Sequence, residues 1–237
     1  MTGRAATAAC AAVLTAMAVS GCGSDDSTGP TLPPLGSTVP PPSGPPTAHV
    51  PDSPTLRSDL LATFQLPPGF TPLDDPEPGI TGAGERTDPP QCAKVLAPIA
   101  DQASGAAARA AAQFSGPDFS SIDIDAAAYL NGAAAQAFST AQSLLRECTS
   151  YSGTDADNTV VDFRVGGLEQ PTAGDASTAF RVHTSSEGFT LYSAVSVTLV
   201  GATVVQVALT SQREPDPQQF SALTAAQVQK LRHITGP

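Results

Sequence analysis

From residue 159 to 211 the apolar positions recur every second residue, the spacing of pleated strands. In "TVVDFRV", Val161, Phe163 and Val165 fall on one side, and in "TAFRVHTS" Phe180 and Val182 do the same. "TLYSAVSVTLVGATVVQVALTS" reads as a hairpin of two long β-branched runs, with Gly201 supplying the turn. Between residues 131 and 148 the period changes to that of a helix. Asn131 is placed to cap "GAAAQAFSTAQSLLREC", whose Ala134, Phe138, Ala141, Leu145 and Cys148 share a face. A last helix starts at "EPDPQQF", with Asp216 as N-cap and Pro217 first, and carries Phe220, Leu223, Val228, Leu231 and Ile234 on one arc.

Ahead of these elements the pattern is weaker. "SPTLRSDLLATF" predicts a helix capped by Ser53, with Pro54 in its first turn and Leu56, Leu60, Leu61 and Phe64 on one face. Residues 71–90, rich in Pro, Gly and acids, read as a long loop, and a short helix is expected over 91–99. "FSSIDIDAAAYL" alternates around Ile122 and Ile124 as a strand does. The late strands follow one another without helical crossovers. The expected fold is therefore α+β: a single antiparallel β-sheet with helices packed on one face, and one disulfide.

Residues 23–50 stand outside this pattern. They hold eight prolines and no aromatic residue, so they cannot build a core and are expected to be a disordered spacer. As polyproline this spacer reaches up to roughly 85 Å. Before it, Arg4 precedes a small, apolar run, "AATAACAAVLTAMAV", which suits a secretory signal and is too short to span a bilayer. The run meets Val19-Ser20-Gly21-Cys22, which has the form of a bacterial lipobox. Cys22 is accordingly expected to be acylated, the diacylglycerol anchoring the chain to the membrane. The domains expected are 1–21 signal peptide, 22–51 lipidated cysteine and tether, and 52–237 α+β domain. The chain would sit on the extracytoplasmic face of the cell membrane.

Charge narrows the partners. The chain has 11 Lys and Arg against 22 Asp and Glu, a net charge of −11. Such a surface repels phosphate backbones, so no nucleic acid partner is expected. The partners left are the membrane, through the lipid, and a small ligand or envelope protein. Of the four cysteines, Cys10 leaves with the signal and Cys22 carries lipid. Cys92 and Cys148 remain in an exported, oxidising setting, where such a pair is normally bridged. Neither belongs to a CxxC motif, so a metal or redox pair is the weaker reading.

Catalytic signatures are missing. The sequence has no G-x-S-x-G, S-x-x-K, HExxH or phosphate loop, and no catalytic residue, metal ligand or cofactor is assigned. "DADNTVVD" lacks the glycine turn and terminal Glu of an EF-hand loop. Asp123 and Asp125, two apart on a strand, read as a solvated acidic face rather than a glycosidase pair, since the chain has no tryptophan and only three tyrosines for sugar stacking. His183 is the one histidine inside the folded region, so a small hydrolase or lipid-handling protein built around it is the alternative to a binding module.

Strand parity suggests where a ligand would sit. With Val161, Phe163, Phe180, Val182, Leu191, Val195, Val197, Val207 and Leu209 taken as the core side, the other side presents Asp162, Arg164, Arg181, His183, Tyr192, Ser196 and Gln206. Arg164, Arg181, His183 and Tyr192 form the candidate ligand face, suited to an anionic or hydrogen-bonding partner because Arg binds planar acceptors bidentately.

The lipobox, the proline-rich tether, "AAQAFSTAQSLLREC" and the antiparallel strands ending in a helix resemble mycobacterial lipoproteins with a sensor-type domain. They are also similar to the extracellular sensor domain of the kinase PknH. The resemblance implies an extracytoplasmic ligand-binding or interaction module around a cleft, and it carries over no catalytic residue.

Overall fold

The computed structural model describes residues 31–42, 49–74, 86–155 and 157–233. The expected signal peptide, Cys10 and Cys22, the expected lipidation site, lie outside the described residues, as do parts of the expected tether and of the acidic loop.

The chain runs through α1 (Ser53–Ser58), β1 (Thr71–Pro72), β2 (Arg86–Asp88), α2 (Ile99–Gln102), β3 (Ala106–Ser115) and β4 (Ser121–Tyr129). It continues through α3 (Ala133–Glu147), β5 (Ser150–Thr154), β6 (Val160–Gly167), β7 (Ala176–Ser186), β8 (Phe189–Val200), β9 (Thr203–Ser211) and α4 (Pro217–Leu231). Among the described residues, all nine strands join one antiparallel sheet in the order β1-β3-β4-β9-β8-β7-β6-β5-β2. The α+β class and the single antiparallel sheet are as the sequence led one to expect.

The helices, however, cover both faces rather than one. α3 packs with Val195, Val197, Leu199 and Val204 in one buried cluster, which also holds Cys92, Tyr129 and Phe180. α1 and α4 supply Leu56, Phe220 and Leu223 to a second cluster with Ile122, Ile124, Val205, Val207 and Leu209. The reason is in β8 and β9, where both parities are apolar or small. Such strands need a cover on each side.

The hairpin turn corrects the parity reading as well. Val200 pairs with Thr203, so the turn has two residues and Val197 faces the same way as Gln206, while Ser196 matches Val207. Val207 and Leu209 therefore belong to the α4 face, and Gln206 to the α3 face. The other aliphatic and polar positions of β6, β7 and β8 keep the sides expected of them.

Other differences are local. Asp52, not Ser53, caps α1, its Oδ1 accepting from Thr55 N at 2.9 Å. Phe64 falls in a 3₁₀ turn after the helix and is exposed rather than on its buried face. α3 starts without a side-chain cap, because Asn131 and Gly132 both take positive φ, 54° and 79°, and turn the chain directly into the helix. At α4 the expectation holds: Asp216 Oδ1 accepts from Gln219 N at 2.7 Å, with Pro217 first. The expected helix over 91–99 divides into a 3₁₀ turn at Pro90–Lys94 and the start of α2.

Cys92 and Cys148 are bridged, with 5.5 Å between their Cα atoms, and both are fully buried. The bridge ties the 3₁₀ turn to the end of α3.

The proline-rich residues 32–39 are not a free spacer. Leu35 and Val39 pack against the α3-side core, and Gly167 N donates to Pro33 O at 2.8 Å. Two anchors set into a buried surface outweigh the polyproline tendency to stay solvated.

Candidate functional site

β6, β7 and β8 bring the four sequence-predicted face residues to one side of the sheet. Arg164 pairs with His183 and His183 with Tyr192, while Arg181 lies two residues along β7, opposite Ala194. The face is not an open cationic patch, because Glu214, on the loop before α4, sits among them. His183 Nε2 donates to Glu214 Oε1 at 2.6 Å, and Arg181 lies 3.6 Å from Glu214 Oε2. The imidazole is buried, and its ring meets Tyr192 edge-on with centroids 4.7 Å apart. Glu214 was missed in the sequence reading. It lies outside every periodic segment, and only the three-dimensional path of the loop brings it back over β7.

Beside this cluster the sheet, α4 and the loop 167–174 enclose a groove of about 1060 Å³. Arg181 and Ser196 line its sheet side, Thr224 and Val228 its helix side, and the strap 33–39 closes one end. Ser196 Oγ and Thr224 Oγ1 are 3.1 Å apart, joining floor to wall. The rim is fixed by polar contacts: Arg232 donates to Asp175 Oδ1 at 2.6 Å, and Gln170 Nε2 to Pro217 O at 3.1 Å. Of the four predicted residues only Arg181 lines the groove. Arg164, His183 and Tyr192 lie outside it.

Arg181 has a further feature. Its Nε is buried and has no hydrogen-bond partner among the described residues. An orphaned donor of this kind costs about 1–3 kcal/mol, which an arriving acceptor would recover.

On the opposite face, Asp123 and Asp125 are not the solvated pair expected. Asp125 points under the start of α2, which covers β4 there, and Asp123 is half-buried on the same side of the strand. Asp125 Oδ1 accepts from Ile99 N at 2.6 Å, and its Oδ2 accepts from Gln206 Nε2 at 3.3 Å. Burial pushes the Asp125 carboxyl up to about 7, with Asp101 and Asp123 adding to the rise and the Ile99 and Gln206 bonds opposing it. Asp123 is raised too, by burial, against a 2.9 Å bond from Ser121 Oγ. Neither carboxylate lines the groove beside α4; Asp125 is held by a backbone N–H and a glutamine, and Asp123 by a serine hydroxyl. Among the described residues, no three His, Cys, Asp or Glu converge as metal ligands.

No family model and no curated protein matches the chain. Solved structures do. The chain is similar to the extracellular domain of PknH from Mycobacterium tuberculosis, with a TM-score of 0.57 at 15% identity, over 78% of this chain and 98% of that one. A protein of Mycobacterium smegmatis matches with a TM-score of 0.37 at 16% identity, over 69% of this chain and 91% of that one. The first likeness shows a shared fold.

Proposed function

We propose that the chain is a membrane-anchored cell-envelope lipoprotein whose extracytoplasmic α+β domain is a non-catalytic module that binds a ligand or partner. The observation that carries this reading is the groove beside α4, which Arg181 lines while its buried Nε has no partner among the described residues. A ligand bearing a carboxylate or another planar acceptor satisfies that donor, and the small residues around it leave space for the remainder. The likeness in fold to an extracellular domain supports the location, and the lipobox tetrad supports the anchor.

The hydrolase alternative built on His183 fits this geometry less well. A general base must hold a nucleophile within reach, yet the His183 Nε2 is bonded to Glu214 and the ring lies outside the groove.

Two experiments follow. With Arg181→Ala, small carboxylates that stabilise the wild-type domain bind about 10–100-fold more weakly, the worth of one charge-assisted contact, while the melting temperature of the free domain hardly changes. Equal stabilisation of both proteins would remove Arg181 from the site. For the anchor, Cys22→Ala moves the protein from the detergent phase to the aqueous phase on fractionation of an actinobacterial host. Retention in the detergent phase contradicts the lipid reading.

A further inference from the structure

The strap 32–39 crosses the sheet where β6 runs beyond its neighbour. β5 pairs with β6 only as far as Arg164, so the last residues of β6 have an uncovered edge. The strap takes that edge, Gly167 N donating to Pro33 O at 2.8 Å. Further along, Gln142 of α3 grips the strap backbone from both sides: its Oε1 accepts from Val39 N at 2.8 Å and its Nε2 donates to Val39 O at 2.9 Å. Arg146, one turn later on α3, donates to Gly36 O at 2.7 Å. Leu35 and Val39, four residues apart, pack half-buried against the α3-side core.

The body is shaped for this crossing. A Cβ at Gly166 would meet Leu32 Cβ at 2.4 Å, and one at Gly167 would meet Pro34 O at 2.3 Å. At both glycines the nearest obstructing atoms all belong to the strap. The glycine pair therefore makes room for an incoming chain, not for the sheet itself. The strap is matched in turn. Prolines hold it extended before it docks, lowering the entropy lost on binding, and the donors they lack are ones the groove does not use.

The geometry points to a recognition site for an extended proline-rich peptide between α3 and the free edge of β6, filled in cis by residues 32–39. Hydrogen bonds from Gly167, Gln142 and Arg146 to the peptide backbone give it affinity, and the contacts of Leu35 and Val39 with the α3-side core give it selectivity. Its reading does not depend on the ligand groove beside α4, although the docked strap forms one end of that groove. The stretch before Leu32, and not all of 22–51, is then what is left to act as a spacer.

Two variants of the full chain separate groove from strap. Gly167→Ala places a methyl group where the strap runs, so the Val39 amide exchanges with solvent about tenfold faster or more, while the amides of Val195 and Val207 keep their protection. Leu35→Asp with Val39→Asp releases the strap and leaves its receiving surface on α3 and β6 unaltered. A synthetic peptide of residues 31–42 then binds this variant with a Kd below about 0.1 mM, and binds the wild-type chain about tenfold or more weakly, because its own strap competes at an effective concentration on the order of 1 mM. The proposal is overturned if the wild-type Val39 amide exchanges at free-peptide rates, if Gly167→Ala leaves it protected, or if the peptide does not bind the released variant.

Discussion

Replacing Cys92 and Cys148 together by alanine is expected to lower the unfolding free energy by about 4 kcal/mol, the chain-entropy value for a loop of roughly this length. The two residues lie 56 apart in sequence and are bridged in the fold. The bridge holds the 3₁₀ turn at Pro90–Lys94, which has few backbone bonds of its own, onto the end of α3. Both sulfurs are buried within the α3-side core, so alanine also removes packed volume there. Domains of this size have about 5–15 kcal/mol in total, and 1 kcal/mol moves the melting temperature by about 2–4 °C. Scanning calorimetry of the double variant should show a fall on the order of 10 °C. A loss under about 1 kcal/mol would mean that the reduced chain keeps the same constraint by packing alone.

The second large effect is a dependence of stability on pH that has the opposite slope from ordinary acid denaturation. Asp125 titrates near 7 in the fold against 3.8 for the free side chain, because burial disfavours its charge. The folded state thus holds a proton that the unfolded state has released, and stability falls as pH rises from about 4 to about 7. Above that range the contribution is flat. Since each pKa unit is worth 1.36 kcal/mol, the loss between pH 5 and pH 8 is about 2–3 kcal/mol. Asp123, raised in the same direction, adds to it, and Asp101 faces the same group. Asp125→Asn cannot ionise, so urea unfolding of this variant should lose most of that slope. The same slope in both proteins would show that the carboxylate is effectively solvated.

Cys92, Cys148 and Asp125 differ in how legible they are in the sequence. Cys92 and Cys148 were legible because compartment and count left no other partner for either. Asp125 was not, because alternation along β4 says which residues share a face but not whether a helix lies over it. The same gap explains the helices on both faces: only the apolar runs in both parities of β8 and β9 signalled a second cover. Of the strands, β6 to β9 were clear from their β-branched period of two. β3, "AAARAAAQFS", was not assigned, since alanine has little strand preference. There α1 lies against the strand, with Ser53 Oγ accepting from Arg109 N at 3.1 Å and Arg57 donating to Ala111 O, so small residues and a capped edge replace propensity.

The candidate site divides in the same way. Register placed Arg164, Arg181, His183 and Tyr192 on one face without any structure. Glu214 and the groove depend on loop paths that no local pattern encodes. The strap was hidden by composition: prolines argue for solvated polyproline, and the glycine pair that receives it lies 130 residues away.

We propose that this domain meets its ligand in the groove beside α4, without chemistry. Amide chemical shifts of the ¹⁵N-labelled domain, followed while small carboxylates are added, test it most directly. Shifts are expected to concentrate at residues 167–174, Arg181, Ser196 and Thr224 and to vanish in Arg181→Ala, with the added compound recovered unchanged. Shifts gathered instead around His183 and Tyr192, with the compound consumed, would contradict it.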